Sequence, residues 1–357
     1  MEKIKNLKKS TKVSFLNYGL VVLFFIVVTA LANTGHLTNS FKGQLIPIVS
    51  YIIMALSLNL VVGISGELSL GHAGFMSVGA FSGVIVSMTT AGSIGNGGVR
   101  LLLAIVIGAL LAGVVGVIIG IPVLRLNGDY LAIVTLAFGE IIKNVMNCLY
   151  VGVDNAGLHM SFKDVNSMGM AADGKVLING PMGATGITKI STFTAGIILL
   201  LLVLVVIQNL VNSRTGRAIM AIRDNRIAAE ASGVPVTKYK LIAFVTSAAM
   251  AGAAGALYAL NYSTIAPKKF DFNTSILILV FVVLGGIGNM TGSIIAAALL
   301  TILPEMLRKF ADYRMLIYAI VLIVVMIATN NDKIRSVFRG MVKKGKDAEV
   351  KEGAANE

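Results

Sequence analysis

The chain has 357 residues, 56% of them hydrophobic and 13% charged, with no tryptophan and a formal net charge of +13. A charged fraction this far below the ~25% usual for soluble domains excludes a water-soluble globule. The single cysteine, Cys148, excludes an internal disulfide and a cysteine-based metal cluster, and the basic excess needs no nucleic acid, because anionic lipid headgroups attract juxtamembrane lysines.

Apolar runs approaching the roughly 20 residues that cross a bilayer fall, in chain order, near 15–32, 45–62, 72–89, 101–124, 130–151, 192–211, 241–260, 272–284, 293–307 and 315–329. The expected fold class is therefore all-α: a polytopic helical membrane protein of about ten transmembrane helices over 1–331. The N-terminus carries charge before an apolar stretch, as a signal peptide does. The run 15–32 is too long for a typical signal core, however, and more spans follow, so it is expected to remain as the first span.

Charge sets the expected orientation. Five lysines (Lys3, Lys5, Lys8, Lys9 and Lys12) precede the first run, six basic residues lie in 212–240, and seven follow Asn331. Cytoplasmic loops are enriched in Lys and Arg, so all three stretches belong inside, and an even span count places both termini there. The same count puts Arg125 inside and the polar segment 152–190 outside, where three Lys and three Asp cancel. Arg308, Lys309 and Arg314 then fall outside, against the rule. Beyond the last run, residues 332–357 form a basic tail. In its first part Ile334, Val337, Phe338, Met341 and Val342 keep helical spacing, as in a helix lying on a cytoplasmic membrane surface.

Two glycine-rich stretches interrupt the apolar pattern: GISGELSLGHAG at 63–74 and GGIGNMTG at 285–292. A broken helix is tolerated at membrane depth only where protein or a water-filled cavity receives its freed backbone groups. Paired breaks in two halves of a chain point to a central pathway, whose candidate residues are Gly66, Ser69, Gly71, His72, Gly285, Gly286 and Gly288. The alternative is two tight cytoplasmic turns. Glu140 and Lys143, three apart on one helix, are expected to pair inside the membrane, the alternative being an ion- or substrate-linked carboxylate. A lone His72 without carboxylate or Cys partners is no metal site.

The stretch 212–240 is polar and basic between long apolar runs. Within it, DNRIAAEASG at 224–233 has the parts of one short helix. Asp224 is expected to cap it, Arg226 and Glu230 stand at i and i+4, Gly233 suits the left-handed C′ position, and Pro235 forbids continuation. Such an element is either a solvated loop or a lever pushed by a soluble partner. No GxxxxGK[ST] phosphate loop occurs, so an ATPase driving this chain has to be another polypeptide.

At this point the chain resembles a family. VGISGELSLGHAGFMSVGAF (62–81), LNGDYLAIVTLAFGE (126–140), GPMGATG (180–186), GRAIMAIRDN (216–225), KLIAFVTSAA (240–249), VLGGIG (283–288), PEMLR (304–308) and YRML (313–316) resemble the permease subunits of branched-chain amino acid ABC importers, of the LivM rather than the LivH type. The likeness runs in order over roughly 45–326.

By that resemblance the chain forms a translocation pathway for Leu, Ile and Val. It pairs with a related permease subunit, two ATPase subunits that use the ATP, and an extracellular solute-binding protein. It carries no cofactor of its own and sits in a bacterial cell membrane. The resemblance also makes 212–240 a coupling loop that docks on the ATPase, with Gly216, Arg217, Arg223, Asp224, Arg226, Ala229, Glu230 and Gly233 as its candidate residues. Two departures stand out: Arg226 replaces a commonly acidic residue, and TNNDK at 329–333 replaces the family's Arg-Pro-Gln-Gly. The alternative outside this family is a secondary transporter coupled to H⁺ or Na⁺ through Glu140. A third reading is a membrane scaffold without transport.

Overall fold

A computed structural model describes residues 9–34, 38–126, 128–154, 157–171 and 174–307, with isolated positions beyond. Eleven α-helices are present among the described residues: α1 (Lys9–Asn33), α2 (Asn39–Asn59), α3 (His72–Thr89), α4 (Gly97–Val123), α5 (Asp129–Asn147), α6 (Phe193–Asn212), α7 (Arg214–Asp224), α8 (Arg226–Ala231), α9 (Val236–Ala259), α10 (Phe272–Gly285) and α11 (Met290–Met306). Nine of them lie at the first nine expected spans; α7 and α8 fill the polar stretch between two of these. The tenth expected span and the basic tail lie outside the described residues, apart from isolated helical positions.

The count of ten spans is not reproduced. Five helical stretches are long and apolar enough to cross a membrane: Phe41–Ser65, His72–Thr89, Gly97–Val123, Phe193–Asn212 and Val236–Ala259. Leu16–Leu31, Phe272–Gly285 and Met290–Met306 are apolar but shorter. Helix α5 falls in neither group, because Glu140, Lys143 and two asparagines dilute its apolar run.

Met1–Thr301 form one compact unit and Ile302–Glu357 a second. The core of the first is the packing of α9 against α3 and α4, with α2 also packed on α9. Small residues allow it. A Cβ on Gly79 would lie 2.0 Å from the carbonyl oxygen of Gly252, and one on Gly252 would lie 2.5 Å from that of Gly108. Lipid offers no hydrophobic gain for bringing helices together, so close backbone approach through glycine and alanine supplies the contact instead. Helix α4 turns its other face outward, exposing Leu102, Leu110, Val114 and Ile118.

The expectation of a purely helical chain is corrected by a five-stranded antiparallel sheet in the order β2-β1-β3-β4-β5. Its strands are β1 (Tyr150–Asp154), β2 (Gly157–Ser161), β3 (Lys175–Asn179), β4 (Ala184–Thr185) and β5 (Thr264–Ile265). The first four come from the polar segment after α5, and β5 comes from the α9–α10 connection. Val151, Leu177, Ile178, Ala184 and Ile265 are its buried side chains.

Hydrogen bonds sort the connections onto two sides of the helical layer. On the sheet side, the Asn261 amide donates to the Gly43 carbonyl at 3.2 Å, the Arg100 guanidinium to the Thr188 hydroxyl at 2.9 Å, and the Ile190 N–H to the Leu260 carbonyl at 3.2 Å. On the other side lie both glycine-rich breaks, the α7–α8 segment and Asn17 of α1, which accepts from the Thr291 hydroxyl.

Candidate functional site

The α7–α8 segment is held at each of its bends. Ser213 caps α7 by accepting the Gly216 N–H at 3.1 Å, and a Cβ on Gly216 would lie 2.3 Å from the Leu210 carbonyl oxygen. Arg217 donates back to the Asn212 carbonyl at 3.1 Å. The expected cap of the short helix is corrected: Asp224 ends α7 and accepts from its neighbour Arg223, while Asn225 caps α8 by accepting the Ala228 N–H at 3.0 Å. Asn225 has the extended backbone that an N-cap needs, and its amide oxygen is well placed for the free donors of the first turn.

Gly233 is left-handed, with φ of 80°, as the C′ position requires, and the Val234 N–H donates to the Ala229 carbonyl at 3.1 Å. Beneath the helix, Ala229 is buried with Ile222 and Val236, against Val234 and Tyr239. Glu230 is exposed, Arg226 is half-buried, and between them in the chain Ile227 is 80% exposed.

The first glycine break packs directly onto this segment. Helix α2 continues as a single π-turn, Leu60–Ser65, and Gly66 closes it in the left-handed conformation with φ of 75°. A helix end leaves carbonyls without intrahelical donors. The Arg223 guanidinium satisfies one of them, donating to the Gly63 carbonyl at 3.0 Å, and its aliphatic stem lies over Gly66. Next in the chain, Glu67 forms an ion pair with Lys240 of α9, with side chains only 12% and 6% exposed.

The two breaks also meet each other. A Cβ on Gly63 would lie 2.3 Å from the Gly288 nitrogen, and Asn59 bridges the contact. Its oxygen accepts the Gly288 N–H at 2.8 Å and its amide donates to the Ser293 hydroxyl at 3.0 Å. Gly286 and Gly288 are both left-handed, while Gly285 lies against Gly292 across the turn.

The other pathway candidates point elsewhere. His72 is buried at the start of α3, its Nε2 2.7 Å from the Ser57 hydroxyl, and the Ser247 hydroxyl donates to the Ser57 carbonyl at 2.6 Å. Gly71 lies against α5, where a Cβ would be 2.0 Å from the Thr135 carbonyl oxygen. Ser69 is buried beside it, and its hydroxyl has no hydrogen-bond partner, as is also true of Ser77. Of the candidate set, Gly66 lies against Arg223 of α7 and Gly288 against Gly63, with Gly285 and Gly286 in the same turn as Gly288, whereas Ser69, Gly71 and His72 are buried among helices.

Glu140 and Lys143 are in contact, and the second carboxylate oxygen of Glu140 accepts the Phe272 N–H at 3.2 Å. That N–H is one of the free donors at the start of α10, which Asp271 caps by accepting the Thr274 N–H at 3.0 Å. Burial pushes the Asp271 carboxyl up, but hydrogen bonds from Thr274 and Asn273, with Lys143 nearby, outweigh it and hold it below the usual carboxylate range. No group of three or more His, Cys, Asp and Glu able to hold a metal occurs among the described residues.

Comparison with known proteins decides the family. The family described as branched-chain amino acid transport system / permease component matches residues 41–328. The chain belongs to that family. Its relatives include the high-affinity branched-chain amino acid transport system permease protein LivM of Escherichia coli, 35% identical over 297 residues, or 78% of this chain and 66% of that protein. LivM of Salmonella typhimurium is 35% identical over 289 residues with the same coverage. The chain thus spans slightly less than two thirds of the length of these two relatives. The fructose import permease protein FruG of Bifidobacterium longum is 24% identical over 297 residues, 82% of each chain. No solved structure matches. Together with its apolar helices, membership of this family makes the chain a multi-pass membrane protein.

Proposed function

We propose that this permease is the transmembrane subunit of an ATP-driven importer for branched-chain amino acids, with 212–240 as the coupling loop that a separate ATPase subunit pushes. The observation that carries the reading is α8: a short helix capped at both ends, seated on its own apolar cluster and presenting Ile227 and Glu230 outward. A carrier driven by an ion gradient has no use for a stiff external lever. The substrate class follows the LivM relatives at 35% identity in preference to the sugar permease at 24%. The ion-coupled alternative loses its free carboxylate, because Glu140 already holds Lys143 and a backbone N–H.

In this reading 1–331 is the permease domain and 332–357 a basic tail on the cytoplasmic surface. The sheet side, including 152–190, faces outward, where a solute-binding protein delivers its ligand. The side with the two breaks and α7–α8 faces the cytoplasm, as do both termini, in a bacterial cell membrane. A related permease completes the pathway and two ATPase subunits supply the energy. The residues assigned to coupling are Gly216, Arg217, Arg223, Asp224, Arg226, Ala229, Glu230 and Gly233.

Reconstitution with the partner subunits tests this. Leucine uptake is expected to require ATP, and uptake driven by a proton or sodium gradient alone would move the chain to the secondary carriers. Within the complex, Gly233→Val removes the left-handed cap at a cost of about 1–2 kcal/mol and is expected to lower uptake relative to ATP hydrolysis. Nothing crowds that position, since no atom lies within 4 Å of a Cβ there, so the effect reports backbone conformation alone.

A further inference from the structure

A lever does work only through a stiff connection to what it moves. Resting on the coupling reading above, we propose that Arg223 and Lys240 are positioning residues that carry movement of the α7–α8 segment into both glycine breaks at once. Three independent observations support this.

First, the segment is one body: Ile222 of α7, Ala229 of α8 and Val236 of α9 form a shared buried cluster, so a push on α8 reaches all three helices. Second, two cations from that body grip the first break at either end of its left-handed turn. Arg223 holds the Gly63 carbonyl at 3.0 Å, and Lys240 pairs with Glu67. The Gly63 carbonyl is one that the end of α2 leaves without a helical donor, and the partial negative charge of a helix C-terminus favours a cation there. Burial strengthens the Lys240–Glu67 attraction relative to an exposed pair, so the two side chains separate only at high cost.

Third, the gripped residue transmits the force onward. Gly63 lies so close to Gly288 that neither backbone moves toward the other without collision, and the two hydrogen bonds of Asn59 tie Gly288 and Ser293 to α2. The chain of contacts therefore runs from α8 through Arg223 and Lys240 to the end of α2, and across Asn59 to the turn between α10 and α11. Each link is a buried apolar cluster, a hydrogen bond, an ion pair or backbone packing, and none depends on a long flexible side chain left free.

A purely structural ion pair makes a different prediction, and the choice of variants separates the two. Removing one partner leaves a buried unpaired charge and destabilises any protein, whereas replacing both by neutral groups of similar size often does not. The test uses the whole transporter, reconstituted with its ATPase subunits, with leucine uptake and ATP hydrolysis measured on the same vesicles. Wild-type vesicles come first: uptake of leucine without ATP overturns the importer reading itself, independently of the relay.

Given ATP-dependent wild-type uptake, the double variant Glu67→Gln/Lys240→Met and the single variant Arg223→Gln are each expected to assemble. In each, leucine moved per ATP hydrolysed is expected to fall about tenfold, within the range of allosteric couplings. Arg223→Lys keeps one donor for the Gly63 carbonyl and is expected to recover part of the ratio. An unchanged ratio in the assembled double variant and in Arg223→Gln overturns the proposal. Failure of the double variant to assemble overturns it too, since the pair would then be a packing requirement.

Discussion

The two glycine-rich breaks look alike in sequence and are built for different tasks. The first, 63–74, is enclosed: a π-turn, one left-handed glycine, then buried Ser69 and His72, with cations from α7 and α9 fastened to it. The second, 285–292, is a tight turn with two left-handed glycines and an exposed tip, Ile287 being 59% accessible. Where they meet, Gly63 and Gly288 touch and Asn59 joins them. Glycine density alone therefore does not tell a pathway segment from a turn. What distinguishes them is whether other elements close over the freed backbone groups.

Putting a methyl group on each side of that contact is the strongest way to break the comparison. Gly63→Ala would place Cβ 2.1 Å from the Asn59 oxygen and 2.3 Å from the Gly288 nitrogen. Backbone has to move, so a loss of about 3 kcal/mol is expected, at the upper end for overpacked cores. Gly288→Ala meets nothing closer than 3.4 Å, and its φ of 81° costs an L-residue only about 1–2 kcal/mol. The apparent Tm of the detergent-solubilised protein orders the two; equal losses would mean the breaks are alike after all.

Asn59→Leu sharpens the same contrast with a smaller effect. It keeps the side-chain volume roughly constant but orphans the Gly288 N–H, at an expected cost of about 1–3 kcal/mol. Both breaks are expected to loosen together, read as faster amide exchange at 60–66 and 286–290. Loosening of one break alone would show that Asn59 is not the bridge.

These contacts mark the limit of what the sequence reveals. Helices at 72–89, 193–212 and 236–259 are legible because apolar length decides them, and Gly233 is legible because its left-handed role depends on neighbours a few residues away. Glu140 with Lys143 follows from helical spacing alone. By residue type Asp224 is as good a cap for α8 as Asn225, yet α7 runs through Asp224 and the cap passes to Asn225, one residue on; only the path of the preceding helix chooses. The sheet escapes notice because its strands have five residues or fewer and β5 joins from a distant connection. Lys240 with Glu67, Arg223 with Gly63, and Asn59 with Gly288 pair residues far apart in the chain, and no local period encodes such partners.

The least disruptive test concerns whether the enclosed break ever opens. Ser65, Ser69 and Ser77 are all buried, and the hydroxyls of Ser69 and Ser77 have no partner, so Ser→Cys removes no hydrogen bond at those two positions. Cys148 is exposed and has to be replaced first. In that background, single cysteines at the three positions are expected to react slowly with a membrane-impermeant thiol reagent in the resting transporter. A cysteine at Ile287 is expected to react quickly throughout, because the second break is already exposed. If the first break borders the translocation pathway, two or more of the buried positions will change their reactivity when the complex is trapped with ATP. A pathway for a branched-chain amino acid needs an apolar wall with a few backbone dipoles and no fixed charge for the ligand, and a helix end supplies them. Slow, state-independent labelling at all three would leave the first break as a buried joint that transmits force without touching substrate.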